Sequence, residues 1–532
     1  MIRTRHAAAA ALAAGTALLL PLFPGRAVPA AAAVPQAGQA LVRPVPPADR
    51  VSAYLDRIRD RPQELRAFFE ALPKGGDLHN HLSGAASTEL LIQLAAEDGL
   101  CIDTATSTAV VGGPCPAGSR PAADAVTDPA FRQQVIRAWS MQDFVPGAES
   151  GHDHFFATFG KFGEASWRHP GRMLAEVTDT LARQNQSYLE TMSTPASGGA
   201  AALAAKVGFD SDLAALRAKL LADDQIGALV RTASGEADAA LTEFRATSHC
   251  DGDDPAPGCA VTVRFISQAS RASTPARVFT QLLLGMELAR HDPRYVAVNL
   301  VQPEDAPASL ENYRLQMQML DYLHGEYPEV HITLHAGELV PGLVKPEDLR
   351  FHIREAVLTG HADRIGHGVD LAHEDDPEGL LRTMAARHVL VEVPLTSNEQ
   401  ILGVSGPEHP FPRYLAAGVP VALATDDPGV SRGDITTEYQ RAALTYGLDY
   451  RVLRDLARAS LEYAFLPGRS LWADRDGYRP AAECAHDPLG EDEPSAACAA
   501  LLDDNPKAEL EWREECAFRT FEQAVLGRLR EQ

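Results

Sequence analysis

At 532 residues the chain could make two or three average domains, and a single barrel with insertions also fits this length. Hydrophobic residues make up 45% and charged residues 23% of it, the composition of an ordinary globular protein with room for a large core. A formal net charge of −24 argues against a phosphate-backbone binder, so nucleic acid is not an expected partner; a small neutral ligand is not excluded.

In chain order, Arg3 and Arg5 precede an apolar run from Ala7 to Phe23, and small residues follow at Ala31, Ala32 and Ala33. That sequence of regions predicts a secretory signal peptide over residues 1–33. The run is broken by Gly15, Pro21 and Pro24 and is shorter than a membrane span needs. No later stretch is long and apolar enough to cross a bilayer, so the mature protein is expected to be secreted, extracellular and free of the membrane. A Pro/Ala-rich linker and a helical stretch from Val51 to Leu72 then fill residues 34–72.

Short β-rich runs recur from there, separated by segments with helical patterning: Gly76–His81, Ser187–Ser193, Val261–Gln268, Tyr295–Val301, His331–Glu338, Arg364–Gly368, Val389–Ser397 and Pro420–Pro428. Most are continuous apolar stretches, as strands buried on both faces should be. Eight of them alternating with helices predict an α/β fold, a (β/α)8 TIM-type barrel, spanning residues 73–469 with a C-terminal extension over 470–532. Between the first and second runs lie about a hundred residues, too many for one crossover helix. This expected helical insertion carries HDHFFATFGKF, with Phe155 and Phe156, and follows the strand end where barrel active sites form. A local aromatic core is an equally good reading of those rings. Cys101 and Cys115, Cys250 and Cys259, and Cys484 and Cys498 each flank a short polar loop. Local disulfides in an oxidising compartment are expected, with Cys516 left over.

Polar residues gather where the strands end. His79 and His81 stand two apart, so both side chains point to the same side of their strand, and inside a barrel they can share one metal. The fifth run ends HAGE, with His335 and Glu338; the sixth reads RIGHG, with His367 between glycines; the eighth ends TDDP, with Asp426 and Asp427 adjacent. Neighbouring buried carboxylates repel unless a cation or donors compensate, so one could ligate a metal while the other faces a substrate.

Taken in order, LHNHLSGA, ITLHAGE, RIGHG, PLTSN and ATDDP resemble the motif series of the adenosine deaminase family in the metal-dependent amidohydrolase superfamily, over about Pro73 to Gly468. PKGGDLHNH, HFFATF, YLET and the signal segment look closest to its secreted, growth-factor-like branch. The resemblance implies one zinc ion per chain held by His79, His81, His335 and Asp426. Zinc would lower the pKa of a bound water toward about 7. His367 would orient the attacking oxygen and move its proton, Glu338 would protonate the purine ring nitrogen, and Asp427 would hydrogen-bond the far side of the purine. The implied reaction is hydrolysis of adenosine, or 2′-deoxyadenosine, to the 6-oxo nucleoside and ammonia. The alternative is an exported amidohydrolase acting on another amine or cyclic amide. Three positions depart from the family pattern: Ser83 replaces a sugar-contacting aspartate, Gln302 a glycine beside the base, and Met192 a common arginine. The expected partner is a small purine nucleoside; nothing in the sequence sets an oligomeric state.

Overall fold

Eight parallel strands follow one another in sequence and in space in the computed structural model, which describes residues 45–531. They are β1 (Gly76–His81), β2 (Tyr188–Ser193), β3 (Thr262–Ser270), β4 (Tyr295–Val301), β5 (His331–Ala336), β6 (Arg364–His367), β7 (Leu390–Val393) and β8 (Val421–Leu423). The expected signal peptide lies outside the described residues. The last strand returns to the first through one parallel bridge: the Asp426 amide donates to the His79 carbonyl at 2.9 Å and the His81 amide to the Asp426 carbonyl at 3.0 Å. This is the TIM-type barrel that the strand–helix alternation predicts. Its outer helices turn apolar faces inward. The helix Pro275–His291, for example, is capped by the Thr274 hydroxyl and buries Val278, Phe279, Leu282, Leu283 and Met286.

The lumen beneath the site is polar. Arg364, wholly buried at the start of β6, donates Nε to Glu392 Oε1 (2.6 Å) and a terminal nitrogen to Glu190 Oε2 (2.5 Å), and lies over the Phe465 ring. The second Glu190 oxygen accepts the Tyr188 hydroxyl and the Phe465 amide, both at 2.7 Å. Buried charges persist only when their remaining hydrogen bonds are filled in this way.

Several elements differ from expectation. The stretch read as one helix is two, Pro47–Ile58 and Pro62–Ala71, because Pro62 has no amide to continue the first and its ring suits an N-terminal turn. The seventh run stops at Val393: Pro394 ends the ladder, and the PLTSN segment opens the helix Leu395–Leu402. The insertion after β1 is not purely helical. Three short antiparallel strands, Cys101–Asp103, Ala109–Val110 and Ser119–Pro121, sit between its helices, tied by the Cys101–Cys115 disulfide. Cys250–Cys259 and Cys484–Cys498 pair as expected, leaving Cys516 free and half-buried. The C-terminal helix Pro506–Glu531 packs across the N-terminal end of the barrel, where Glu514 accepts the Gly75 amide at 2.9 Å and Glu515 grips Arg458 at 2.7 and 2.8 Å. Among the described residues no helix is long and apolar enough to cross a membrane.

Removing one carboxylate from the lumen leaves Arg364 short of a counter-charge without opening the barrel wall. Glu190→Ala is expected to lower stability by about 3–5 kcal/mol in urea titration; an unchanged midpoint would show that the lumen ion pair is dispensable.

Candidate active site and metal centre

The chemistry-bearing residues are placed by strand ends. His79 and His81 close β1, His335 is the penultimate residue of β5, and His367 ends β6. His367 and Asp426 both adopt left-handed backbone conformations, at φ 70° and 61°. For a non-glycine residue that conformation costs about 1–2 kcal/mol, and residues held in it cluster at functional sites. Gly366 is needed for a different reason: a Cβ there would come within 2.6 Å of the His79 ring.

Three imidazoles are oriented from behind. His79 Nδ1 is 2.7 Å from Glu392 Oε2, His81 Nδ1 is 3.1 Å from Gln268 Oε1, and His335 Nδ1 is 2.9 Å from Asn299 Oδ1. Each partner atom is an acceptor, so each ring carries its proton on Nδ1 and turns the Nε2 lone pair inward. The His81 and His335 Nε2 atoms stand 3.1 Å apart. Asp426 Oδ1 lies 3.3 Å from His81 Nε2 and 3.4 Å from His79 Nε2, and the Ser397 hydroxyl holds its other oxygen at 2.6 Å. His79 Nε2 is buried with no hydrogen-bond partner. Lone pairs facing one another across a carboxylate require a cation between them, so this donor set fits a divalent metal such as zinc. The tightest group of four candidate ligand atoms is His79, His335, His367 and Asp426, with His81 grouped separately with Asp426 and Asp427. The close approaches of His81 Nε2 to both His335 and Asp426 nevertheless favour it over His367, whose Nδ1 accepts the Asn398 amide Nδ2 at 2.9 Å, so that a neutral ring carries its proton rather than a lone pair on Nε2.

The electrostatics agree. Burial lowers the His79 pKa, but Asp426 and Glu392 overcome it and push it up to about 10. His335 goes the other way, held well below its ordinary value by burial and by its histidine neighbours. Burial raises Asp426, yet hydrogen bonding from His79 and His81 outweighs it and keeps the carboxyl well below the usual range. Without a metal the cluster thus holds a positive charge at His79. Glu338 and Asp427 are both pushed well above the usual carboxyl range, by burial and then by the Asp426 charge. Glu304 braces the first of these: its carboxylate accepts the Gly337 and Glu338 amides at 3.1 and 2.9 Å and is itself held by His352.

These groups open onto a cavity of about 360 Å³. His81, His335, His367, Glu338, Asp426 and Asp427 form its floor, and Phe155, Phe156 and Phe159 on the helix Gly151–Ser166 form one wall. Phe155 also belongs to the aromatic core of the insertion, so both readings of those rings hold. Ser83 and Gln302 line the cavity, and among the described residues no lysine or arginine does. Gln302 keeps a positive φ of 86°, the backbone a glycine would adopt, and turns its side chain to accept the Ala272 amide at 3.1 Å. Met192 is not a lining residue but lies buried beneath Asn299. Of the residues that orient the ligands, Asn299 and Glu392 show in the sequence only as lone polar residues inside apolar strands, YVAVNLV and LVEV, whereas Gln268 stands in the mixed strand TVRFISQAS and Ser397 lies within PLTSN on the helix Leu395–Leu402.

Barrel, histidine–aspartate cluster and buried acid define the class, a metal-dependent aminohydrolase. The adenosine deaminase family model matches residues 171–471, and the chain belongs to that family. The matched segment begins beyond β1, so His79 and His81 lie upstream of it and join the site only through the fold. Among curated relatives, an aminodeoxyfutalosine deaminase of Streptomyces coelicolor is 28% identical over 429 residues, 79% of this chain and 88% of that protein. An adenosine deaminase of Escherichia coli (strain SE11) is 39% identical over 147 residues, 27% of this chain and 41% of that protein. Among solved structures, an arabidopsis N6-mAMP deaminase aligns with a TM-score of 0.49 at 22% identity, covering 75% of this chain and 96% of that one. An adenine deaminase from Arthrobacter aurescens aligns at 0.46 and 18%, covering 74% and 94%.

Asn299→Ala frees the His335 ring without touching a ligand atom. Zinc affinity, measured by competition with a chelator, is expected to fall about 10–100-fold; an unchanged affinity would remove Asn299 from the orienting role.

Proposed function

We propose that the protein is a zinc-dependent, secreted adenosine deaminase, converting adenosine or 2′-deoxyadenosine to inosine or 2′-deoxyinosine with release of ammonia. One observation carries the choice of substrate. The cavity offers a purine two buried acids and an aromatic wall, yet no cationic side chain for a phosphate or carboxylate group. Three disulfides support export, and the motif resemblance favours the growth-factor-like branch.

In this reading His79, His81, His335 and Asp426 hold the metal, which supplies a water acidic enough to react as hydroxide near neutral pH. Glu338, kept protonated by burial and by its anionic neighbours, gives its proton to the ring nitrogen beside the carbon that bears the amino group. That protonation draws electrons from the carbon and opens it to attack. Asp427 has an unpartnered Oδ1 and, as a protonated carboxyl, donates a hydrogen bond to an acceptor on the far side of the purine. His367 orients the attacking oxygen. The helix Gly151–Ser166 lays its phenylalanines over the site and excludes bulk water. The adduct's hydroxyl then loses its proton as the amino nitrogen takes one up, so that ammonia leaves and the 6-oxo purine keeps its new ring N–H, while the proton that water first released restores Glu338.

Purified protein is expected to shift the ultraviolet spectrum of adenosine to that of inosine, and to stop doing so when chelated. Glu338→Gln is expected to lower kcat by about 10²–10⁴-fold; full activity in that variant would sink the proposed acid. With zinc bound, absence of turnover on every 6-aminopurine nucleoside would favour the alternative, an exported amidohydrolase of other amines or cyclic amides. Because a phosphate would enter the cavity unpaired, kcat/KM for adenosine is expected to exceed that for AMP by about 100-fold or more; equal values would refute the substrate assignment.

A further inference from the structure

We infer that Asn398 and His409 are positioning residues that fix the proton of the neutral His367 ring on Nε2 and aim that N–H into the cavity. The Phe411 backbone amide can only donate, and it lies 3.1 Å from His409 Nδ1. That nitrogen therefore carries no proton, and the His409 proton is on Nε2. His409 Nε2 is 2.9 Å from Asn398 Oδ1, so it donates there and sets the orientation of the amide. The other end of the amide, Nδ2, can only donate, and it lies 2.9 Å from His367 Nδ1. His367 Nδ1 is thus an acceptor, and a neutral ring must carry its proton on Nε2.

The chain of bonds has little freedom to reverse. His367, Asn398 and His409 are all at most 1% exposed, and burial lowers the His409 pKa to about 4, so the ring that starts the relay is neutral. Asn398 stands in the first turns of the helix Leu395–Leu402, and Pro410 stiffens the backbone between His409 and Phe411. The same helix that carries Phe411, Phe411–Ala416, also pins the end of β6: the Tyr414 hydroxyl donates to the Gly368 carbonyl at 2.7 Å. His367 lines the cavity, and its Nε2 has no hydrogen-bond partner among the described residues.

The consequence concerns what His367 can do. A ring that presents N–H to the cavity donates a hydrogen bond to the attacking oxygen and leaves the oxygen lone pair directed away from itself, toward the purine. It cannot at the same nitrogen accept that oxygen's proton. The resemblance to the family implies an imidazole that both orients and moves a proton; the tautomer assigns it the orienting role. Identifying the oxygen as the nucleophile rests on the proposed deaminase reading, whereas the position of the proton does not.

Neutron diffraction from deuterium-exchanged crystals of the zinc-loaded full chain reads the tautomer directly. Deuterium is expected on Nε2 of His367 and of His409 and on neither Nδ1; deuterium on His367 Nδ1 overturns the inference. Kinetics give the second arm. His409→Gln keeps one amide to donate to Asn398 and accept from Phe411, and is expected to retain the wild-type kcat. His409→Leu breaks the relay and is expected to lower kcat by about 100-fold at unchanged KM. Wild-type kcat in a folded His409→Leu protein, or equal damage from Gln and Leu, overturns the inference in favour of a merely structural histidine. Should His409→Leu fail to fold, the neutron map and the His409→Gln protein still decide. Deuterium on Nε2 in a protein that turns over no 6-aminopurine would leave the tautomer standing and remove the deaminase reading alone.

Discussion

Three imidazoles point their lone pairs at one another because an oxygen claims the proton on the back of each ring. Everything else in the barrel accommodates that arrangement. Glu392 can hold His79 only as an anion, and an anion in the lumen needs the Arg364 guanidinium. Arg364 brings one positive charge to two carboxylates, so Glu190 needs the Tyr188 hydroxyl and the Phe465 amide as well. The result is a buried column of charge running from β1 through β7, β6 and β2, with the ligand cluster at its upper end. In such a medium an unmatched charge costs several kcal/mol, and the cluster is matched only when a cation sits among the lone pairs. The raised His79 pKa shows the protein filling that need with a proton. A divalent ion would meet it with the Nε2 lone pairs of all three rings, which would make metal binding and the integrity of the lumen one problem.

The seam of the barrel falls at the same place. β8 is short, and among the described residues its backbone bridge to β1 runs through Asp426, between His79 and His81. Barrel closure and ligand assembly therefore use the same peptide groups. The left-handed φ of Asp426 follows from this double duty: the backbone must bridge to β1 while the carboxylate reaches the imidazoles. His367, at the end of β6, shows the same strained solution, and its local energy is recovered through the hydrogen bonds of Asn398 and Tyr414 around it.

Much of this was legible in the sequence. Continuous apolar runs announced eight doubly buried strands, and His79, His81, His335, Glu338, His367, Asp426 and Asp427 converge where those runs predicted strand ends. Two of the boundaries that failed did so at proline: Pro62 divides a helix, and Pro394 turns a strand into a helix N-terminus; the eighth run, expected to extend to Pro428, ends as a strand at Leu423. The residues behind the ligands were unreadable for a different reason. Glu392 and Asn299 are single polar residues in apolar strands, where no periodicity marks them; the register of β4 and β5 brings Asn299 behind His335, and only the closed barrel brings Glu392 behind His79. The path from Phe411 through His409 and Asn398 to His367 is set by the packing of a short helix against the end of β6, and nothing in the local sequence encodes it. The three-stranded sheet of the insertion was hidden because strands of two or three residues are too short to show alternation.

The placement of that insertion explains how the site acquires selectivity without altering its chemistry. It leaves the barrel immediately after His81 and returns at β2, so both of its ends are fixed by paired barrel strands, the first of which carries His79 and His81. Closing so long a connection costs little more than closing a short one, because loop entropy grows only with the logarithm of length, and the Cys101–Cys115 bond lowers that cost further. The helix Gly151–Ser166 can therefore carry three phenylalanines over the cavity while the barrel alone determines where His79 and His81 point. Its first turn is moored on the far side of the mouth, where His152 meets Asp305 at 3.0 Å, just beyond Gln302. An aromatic roof over a floor in which Glu338 and Asp427 are held above the usual carboxyl range, with no lysine or arginine among the described lining residues, offers an anionic substituent no cationic side chain. A charged substituent would have to displace the roof or remain unpaired beneath it, and either penalty falls on binding rather than on the reacting atoms.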